Sequence, residues 1–441
     1  MRARLVHLIH DLRASYWFVP SIMALLSIVL GATMVWLDAG PGAGLLDELG
    51  WYQKAKPDGA HEVLSTIAGS MITVAGVVFS ITIVAIAYAA SQYGPRILTN
   101  FMSDRGNQVT LGTFIATFVY CLVVLRTIRG GDEGEFVPQL AVMMGLFLAL
   151  CSIAVLIFFI HHVPNSIHIN NVVARIGNQL LHSLEERFPE HIGEGSHGQQ
   201  RPSPGEASEQ LSLAGEVTEI RALTNGYMEA VDDKRLMETA CANDLVLQLH
   251  HRPGDYLLRK QLLISASPSR NVDREAKHAL AASYTISDRR TPGQDMFFLV
   301  DELVEIAARA LSSGVNDPYT AITCLDWLAA AAADLGRRRI PSPRRVDPNG
   351  VVRVISLPHS FDEFVARGFG RVRQYVARDT SAAVHALASL AAVADLCRSS
   401  DLRQVLWAEA SKLLSLAEQE LQGPSLEPVS DKYREVEVSL A

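Results

Sequence analysis

The chain has few cysteines and no excess of basic residues, and each shortage argues against one class of protein. Its five cysteines lie far apart, at positions 121, 151, 241, 324 and 397, with no Cys-x-x-Cys pair. A dispersed set of odd number does not form a disulfide framework. The formal net charge of −8 argues against nucleic acid as a partner, because nucleic-acid binding requires a basic patch.

The familiar catalytic signatures are also missing. The sequence has no phosphate-cradling Gly-x-x-x-x-Gly-Lys loop, no Gly-x-Ser-x-Gly and no His-Glu-x-x-His. These motifs mark nucleotide-dependent enzymes, serine hydrolases and zinc peptidases respectively. We therefore predict that the protein is not an enzyme and that it holds no cofactor and no metal ion.

What the sequence does contain is a series of long apolar runs near its start. They are Tyr16–Leu37, Val63–Ala90, Val109–Leu125 and Leu140–His161. About 20 predominantly apolar residues suffice for a helix to cross the bilayer, and no Asp, Glu, Lys or Arg lies inside any run. We predict an α-helical multi-pass membrane protein with four transmembrane helices within residues 1–163.

The charges that flank these runs predict an orientation. One side carries Arg2, Arg4, Arg13, Arg96, Arg105, Arg175 and Arg187, whereas the other carries Lys54, Lys56, Arg129 and Arg126 among many acidic residues. Cytoplasmic flanks are enriched in Lys and Arg. The sequence therefore predicts a bacterial inner-membrane protein with both termini in the cytoplasm.

The polar remainder of the chain predicts a C-terminal cytoplasmic α+β domain. We expect a juxtamembrane helix continuous with the last span (164–188), a flexible linker (189–214), a small β-rich module (215–266), a helical subdomain (267–422) and a frayed tail (423–441). Short alternating apolar stretches with Asn-Gly and Pro-Gly-Asp turns indicate the strands of the module. The later segments have helical periodicity, apart from one strand expected near residue 353.

Four stretches of the sequence resemble one family. They are GVVFSITIVAIAYAASQYGPRIL (76–98), FFIHHVPNSIHINNVVARI (158–176), GYMEAVDDKRLMETA with PGDYLLRKQLL (226–263) and QDMFFLVDELVEIAARALSSGVNDPYTAI (294–322). In combination they resemble the domain-of-unknown-function 2254 family of predicted bacterial membrane proteins. Where this chain has Ser313, that family often has proline. The resemblance implies a membrane topology but no particular activity.

One face of the second run is a candidate site. Its members recur at helical spacing and are small or hydroxylated: Thr66, Gly69, Thr73, Gly76 and Ser80. Such a face permits close helix packing in lipid, and it is also suited to line a water-filled pore in an oligomer. In the second case Gln92 and Arg96 would form a collar at the cytoplasmic mouth, although Arg96 is equally suited to anchor the helix at the interface.

Three histidines lie where the fourth run meets the cytoplasm. His161, His162 and His168 are candidates for interfacial pH sensing, because histidine titrates near physiological pH. Packing against neighbouring polar groups is the alternative. Their spacing is too loose to predict a metal site.

The segment SGVNDPYTA (313–321) is the most distinctive motif of the polar part. Gly314 is suited to end one helix, and Asp317 with Pro318 is suited to begin the next. Asn316 and Asp317 could also bind a small molecule, contact another subunit, or pair with Arg289, Arg290 or Arg309.

Two functional hypotheses follow. The first is a homo-oligomeric ion channel or pore, lined by the second transmembrane helix and gated by the cytoplasmic domain. The second is a membrane-anchored sensor or scaffold whose cytoplasmic domain binds a ligand or protein. The absence of charged residues inside the runs favours a channel over an ion-coupled transporter. The predicted partners are the lipid bilayer, other copies of the chain, and a small ion or small-molecule ligand.

Overall fold

The computed structural model describes residues 17–40, 56–94, 104–130, 136–188, 216–338, 340–397 and 399–440. The chain divides into two compact units, a membrane unit (1–172) and a C-terminal unit (173–441). The four apolar runs form helices α1 (Phe18–Ala39), α2 (Pro57–Tyr93), α3 (Arg105–Leu125) and α4 (Gln139–Ile167). All four are long and apolar enough to cross a membrane, so the predicted multi-pass fold is confirmed.

Small residues bring the helices of the membrane unit into close contact. A Cβ placed on Gly31 of α1 would lie 3.0 Å from the Val123 side chain of α3, and one on Gly145 of α4 would lie 2.8 Å from Leu64 of α2. Glycine at these points lets the helices approach closely, as is common in lipid. The core around them contains Leu64, Tyr120 and Val124, all fully buried.

The end of α1 supplies hydrogen-bond acceptors to the backbone amides at the start of α4. Both carboxylate oxygens of Asp38 accept hydrogen bonds, from the backbone N–H groups of Leu140 (3.0 Å) and Ala141 (2.9 Å). These are amides that have no partner within their own helix. The Tyr120 hydroxyl donates to the Ala141 carbonyl at 2.8 Å. This end of the bundle is therefore closed by polar contacts among three helices.

The juxtamembrane helix begins later than predicted. Helix α4 runs through Pro164 to Ile167, and His168 (ψ 124°) interrupts the helix. Helix α5 (Ile169–Arg187) follows. The expected continuity with the last span is therefore wrong. Helix α5 is amphipathic and buries Val173, Ile176, Leu180 and Leu184.

The described residues of the C-terminal unit form two sheets built from eight strands. The strands are β1 (Thr218–Arg221), β2 (Gly226–Val231), β3 (Val246–Leu249), β4 (Tyr256–Leu257), β5 (Leu262–Ser267), β6 (Tyr284–Ser287), β7 (Arg344–Val346) and β8 (Val352–Ile355). The five-stranded sheet has the order β1-β5-β3-β8-β7, and the three-stranded sheet has the order β4-β2-β6. Among these eight strands, β3 and β8 pair in parallel, with Leu247 opposite Val354, and the other pairings are antiparallel.

This topology corrects the predicted content of the β-rich module and the helical subdomain. Strands β6, β7 and β8 lie in the segment expected to be helical apart from one strand, yet they complete both sheets. The single strand expected near residue 353 is a hairpin, β7 and β8. Its turn contains Gly350 at φ 80°, a left-handed conformation that favours glycine.

The other regular elements described in the C-terminal unit are helices. They are α6 (Asp233–Ala242), α7 (Arg274–Ala281), α8 (Met296–Ala310), α9 (Pro318–Arg337), α10 (Phe361–Val365), a π-helical segment (Ala366–Gly370), α11 (Arg371–Val376), α12 (Thr380–Leu396), α13 (Ser400–Glu420) and α14 (Glu427–Leu440), with short 3₁₀ turns at Ser269–Asn271 and Gly423–Ser425. The side chain of Asp317 caps α9, as predicted, and that of Asp295 caps α8.

Two further local predictions are wrong. Gly314 does not end α8, because Leu311 is the C-cap and Asn316 adopts the left-handed conformation at φ 50°. The tail expected to be frayed forms α14, in which Val429 and Val436 are buried. The Tyr433 hydroxyl lies 2.8 Å from that of Ser411 on α13. Residues 189–215, which contain the predicted linker, lie outside the described part of the chain.

Candidate functional site

The small-residue face of α2 is exposed along its length. Thr66, Gly69, Thr73, Gly76 and Ser80 are all exposed, and within the described residues no atom lies within 4 Å of a Cβ placed on Gly69 or Gly76. The bundle packs on a different face of α2, which buries Leu64, Ala68, Met71, Ala75 and Val78. The small-residue face therefore remains available to lipid, to water or to another copy of the chain.

The hydroxyl groups on this face already have hydrogen-bond acceptors. Thr73 Oγ1 donates to the Gly69 carbonyl at 2.8 Å, and Ser80 Oγ donates to the Gly76 carbonyl at 2.9 Å. Bonding back to the preceding turn in this way is the usual arrangement for Ser and Thr inside a helix. The oxygen lone pairs stay available, so the face can offer acceptors to a passing cation or to water.

Helix α2 is much longer than the hydrocarbon layer. Its 37 residues correspond to roughly 55 Å at the usual rise per residue, whereas the hydrocarbon layer is about 30 Å thick. Gln92 belongs to its last turn, and Arg96 lies outside the described residues. The collar of Gln92 and Arg96 stays a prediction.

The three candidate histidines have different surroundings. His162 Nε2 lies 2.9 Å from Asp104 Oδ1, and Asp104 also caps α3 by accepting from the Asn107 amide. His161 Nε2 accepts from the Asn165 side chain at 3.1 Å, whereas His168 is the C-cap of α4. Among the described residues, no group of three or more His, Cys, Asp or Glu side chains could hold a metal ion.

Helix α3 carries buried polar side chains that the sequence did not single out. Asn107, Gln108, Thr110 and Thr117 are all buried, and Thr117 Oγ1 lies 3.0 Å from Ser152 Oγ of α4. Within the described residues, Asn107 Oδ1 and Thr110 Oγ1 have no hydrogen-bond partner. Asn107 and Gln108 precede the apolar run that begins at Val109, and Thr110 and Thr117 are uncharged residues within that run.

The segment 313–321 is a tightly bonded connection between α8 and α9. Asp317 accepts from the Thr320 amide (3.2 Å) and the Thr320 hydroxyl (2.6 Å), and its own amide donates to the Ala310 carbonyl at 2.7 Å. Capping therefore accounts for Asp317. Tyr319 is 78% exposed. Arg309 pairs with Glu305 at 3.5 Å, and the Arg289 amide donates to Ser287.

Arginines and buried carboxylates form a densely hydrogen-bonded cluster in the C-terminal unit. Asp301 accepts hydrogen bonds from Arg290 (2.6 Å), from Arg367 (2.9 and 2.8 Å) and from Arg371 (2.9 Å). Arg290 also donates to Asp295 at 2.9 and 2.5 Å. Two carboxylates thus meet three guanidinium groups, which we call the Asp301 cluster.

Electrostatics in the Asp301 cluster favour the charged forms. Burial by itself would raise the pKa of Asp301, but the hydrogen bonds and charges of Arg367 and Arg290 outweigh it and hold that pKa below its usual value. Burial likewise opposes the charge of Arg290, yet its contacts with Asp301 and Asp295 raise its pKa. Opposite charges at hydrogen-bond distance have this effect on both partners.

The sequence does not reveal this cluster, because its residues are distant along the chain and most of α8 is buried. Helix α8 buries Asp301 together with Leu299, Val300 and Leu303, so periodicity does not single out the aspartate. Arg367 lies in the π-helical segment and Arg371 begins α11. π-helical turns inside helices are uncommon and frequently mark functional positions, but the sequence gives no local sign of this one.

A second network joins the Pro-Gly-Asp turn to α10. Arg252 donates to both carboxylate oxygens of Glu363, at 2.9 and 2.5 Å, and His359 lies beside them with its ring 4.6 Å from that of Phe297. Burial opposes the charge of Glu363, but hydrogen bonds from His359 and Arg252 prevail and lower its pKa to about 2.

Glu363 therefore predicts a pH dependence of stability. Its pKa falls from an ordinary 4.5 to about 2 on folding, so its stabilising contribution is complete above pH 4.5 and is lost as the pH falls towards 2. We expect Glu363→Gln to lower the melting temperature of the detergent-solubilised protein at pH 7, with the difference shrinking between pH 5 and pH 3. Equal differences at pH 7 and pH 3, measured by intrinsic fluorescence, would contradict this assignment.

Comparison with known proteins gives a family and distant relatives. A family model described as "Predicted membrane protein (DUF2254)" matches residues 13–392. The chain is 29% identical over 419 residues to uncharacterized protein Mb1321c of Mycobacterium bovis and to uncharacterized protein Rv1290c of Mycobacterium tuberculosis, and each alignment covers 93% of this chain and 77% of the relative. No solved structure matches the chain.

Proposed function

The chain belongs to the DUF2254 family of predicted membrane proteins, as its motifs indicated. We propose that it acts in the membrane as a homo-oligomeric channel for small ions. Helix α2 lines the path in each copy, and the C-terminal unit gates it. In this proposal the protein lies in the bacterial inner membrane with both termini in the cytoplasm, where Lys and Arg are enriched in flanks of membrane spans.

One observation carries the proposal. Thr66, Gly69, Thr73, Gly76 and Ser80 form a continuous exposed face on α2, while the bundle packs on a different face. A face of glycines and hydroxyls next to lipid leaves the glycine backbone poorly covered, and it is better satisfied by another copy or by water. Rings of polar groups alternating with apolar constrictions are sufficient to build a pore.

The composition of the spans agrees with conduction rather than coupled transport. The interiors of the four apolar runs contain no Asp, Glu, Lys or Arg, and such residues usually mark the proton or ion pathway of a transporter. Channels select by size and by the field of uncharged dipoles. A small monovalent ion is therefore the class of permeant that fits this face.

Flux measurements on reconstituted protein test the proposal. We expect ion flux into liposomes from the wild-type oligomer, and a large loss on Gly76→Leu or Thr73→Leu, because the added side chains would fill the path. The matched control is Val77→Leu, which enlarges an exposed, already apolar neighbour on the same helix. Oligomer mass in detergent is measured alongside for every variant.

The outcomes are distinct. Loss of flux with unchanged oligomer mass supports a pore lined by α2. If Gly76→Leu is the one variant that loses both ion flux and the oligomer, the face is assigned to helix packing. An intact wild-type oligomer that passes no ion overturns the channel proposal.

In that event a membrane-anchored sensor or scaffold is the remaining candidate, with the four spans serving to anchor and oligomerise. The observation in its favour is the turn before α9. Val315 and Tyr319 are exposed there, beside Asn316 and Asp317, so the turn offers apolar and polar groups together to a ligand or to another subunit. Substituting Tyr319 would then impair binding to the C-terminal unit and leave the spans unaffected.

A further inference from the structure

Two loops of the C-terminal unit are held together by hydrogen bonds. The first connects β1 to β2 and the second connects β4 to β5. The Ala222 amide donates to the Gln261 carbonyl and the Lys260 amide donates to the Ala222 carbonyl, both at 2.8 Å. The Arg259 amide donates to Asn225 Oδ1 at 2.7 Å. We call residues 221–225 and 256–261 the paired-loop tip.

The paired-loop tip displays large apolar side chains to solvent. Leu223 is 72% exposed, Leu258 is 60% exposed and Tyr256 is 52% exposed. Single exposed leucines are ordinary on protein surfaces. Here two of them project from neighbouring loops whose backbones are fixed by hydrogen bonds to each other, so the apolar groups are held outward together with a tyrosine, a residue common at the membrane interface.

The same two loops also carry cationic side chains. Arg259 and Lys260 are exposed, and neither has a carboxylate partner among the described residues. Arg221 pairs with Glu219 and donates to the Lys260 carbonyl at 2.8 Å. The paired-loop tip is thus positively charged on a chain whose formal net charge is −8, so an anionic surface would be attracted here.

We propose that the paired-loop tip is a contact site for an anionic lipid surface. Leu223 and Leu258 enter the boundary between headgroups and acyl chains, while Arg259 and Lys260 meet the lipid phosphates. Apolar insertion combined with basic residues is how peripheral elements hold to membranes. The four spans of the same chain keep a bilayer permanently nearby, which raises its effective concentration. This proposal does not depend on ion conduction.

The test places a polarity-sensitive fluorophore at the tip of the full-length protein. Cys241, the one exposed cysteine among those of the chain, is replaced by alanine, and Thr224→Cys is labelled. The labelled protein is studied in nanodiscs of phosphatidylcholine, with or without phosphatidylglycerol. The matched control is a label at Asn349→Cys, an exposed position in the turn between β7 and β8.

We expect the label at position 224 to emit at shorter wavelength and to be quenched by doxyl-labelled lipid. Both effects should be larger with phosphatidylglycerol and smaller at high salt, because salt screens exposed charges. Arg259→Gln with Lys260→Gln should remove the dependence on lipid charge, and Leu223→Ser with Leu258→Ser should remove the quenching. The label at position 349 should respond to neither lipid.

Two results would overturn the proposal. One is emission at position 224 that stays polar and unquenched in phosphatidylglycerol nanodiscs at low salt. The other is a shift to shorter wavelength without doxyl quenching, which would assign the paired-loop tip to a protein contact such as a second copy of the chain.

Discussion

Replacing Asp301 with alanine is expected to destabilise the C-terminal unit by about 3–5 kcal/mol, the usual cost of removing one partner from a buried ion pair. Asp301 is 6% exposed and joins α8 to the π-helical segment and α11 through Arg367 and Arg371. Its loss leaves these guanidinium groups and Arg290 with one carboxylate, Asp295, in place of two. Thermal unfolding of the purified protein in detergent measures the effect.

The control lies on the same helix. Glu305→Ala also removes one carboxylate from α8, but Glu305 pairs with Arg309 near the surface at 3.5 Å, and such pairs contribute about 0–1 kcal/mol. Asp301→Asn keeps the volume and removes the charge, so it should be nearly as harmful as alanine. If Asp301→Ala and Glu305→Ala melted alike, the Asp301 cluster would not be what secures α8.

The second large effect is expected at Gly177. A Cβ at this position would lie 2.1 Å from the ring of Trp327, a separation that no side chain can tolerate. Gly177→Leu should therefore displace α5 from α9. Overpacking costs typically 1–3 kcal/mol and occasionally more, and we expect the upper end because the obstacle is a rigid ring. Protease sensitivity of α5, followed by mass spectrometry, measures the displacement.

A double substitution makes this prediction specific. Trp327→Ala removes the ring, so Gly177→Leu combined with Trp327→Ala should be less harmful than the sum of the two single changes, which is the signature of direct contact. Asn178→Leu adds a similar side chain at the next, exposed position and should leave α5 protected. If the destabilisation of the double variant equalled the sum of the two single changes, the effect of Gly177→Leu would not arise from contact with Trp327.

The parts of this fold that the sequence predicted are those governed by local chemistry. The four spans follow from uninterrupted apolar runs, and the start of α9 follows from Asp317, whose side chain accepts a hydrogen bond from an amide only three residues away. That the small residues of α2 share one face follows from helical spacing alone. Each of these needs information from no more than one helix.

The parts that were missed depend on partners far along the chain. Nothing near Leu247 indicates that Val354 will lie beside it, and nothing near Asp301 indicates Arg367. The polar sequence of α14 predicts a frayed tail, whereas burial of Val429 and Val436 against the neighbouring helices accounts for the helix. Tertiary packing overrides weak local preference in such segments.

The parallel pairing of β3 with β8 has a consequence for biosynthesis. About 100 residues of chain separate the two strands, so at about 5–20 residues per second β3 leaves the ribosome several seconds before its partner exists. During that interval one edge of β3 exposes unpaired N–H and C=O groups, and an open edge invites pairing with other chains. A gene fragment that stops at residue 266 would make this condition permanent, so the two sheets are best expressed as one continuous piece.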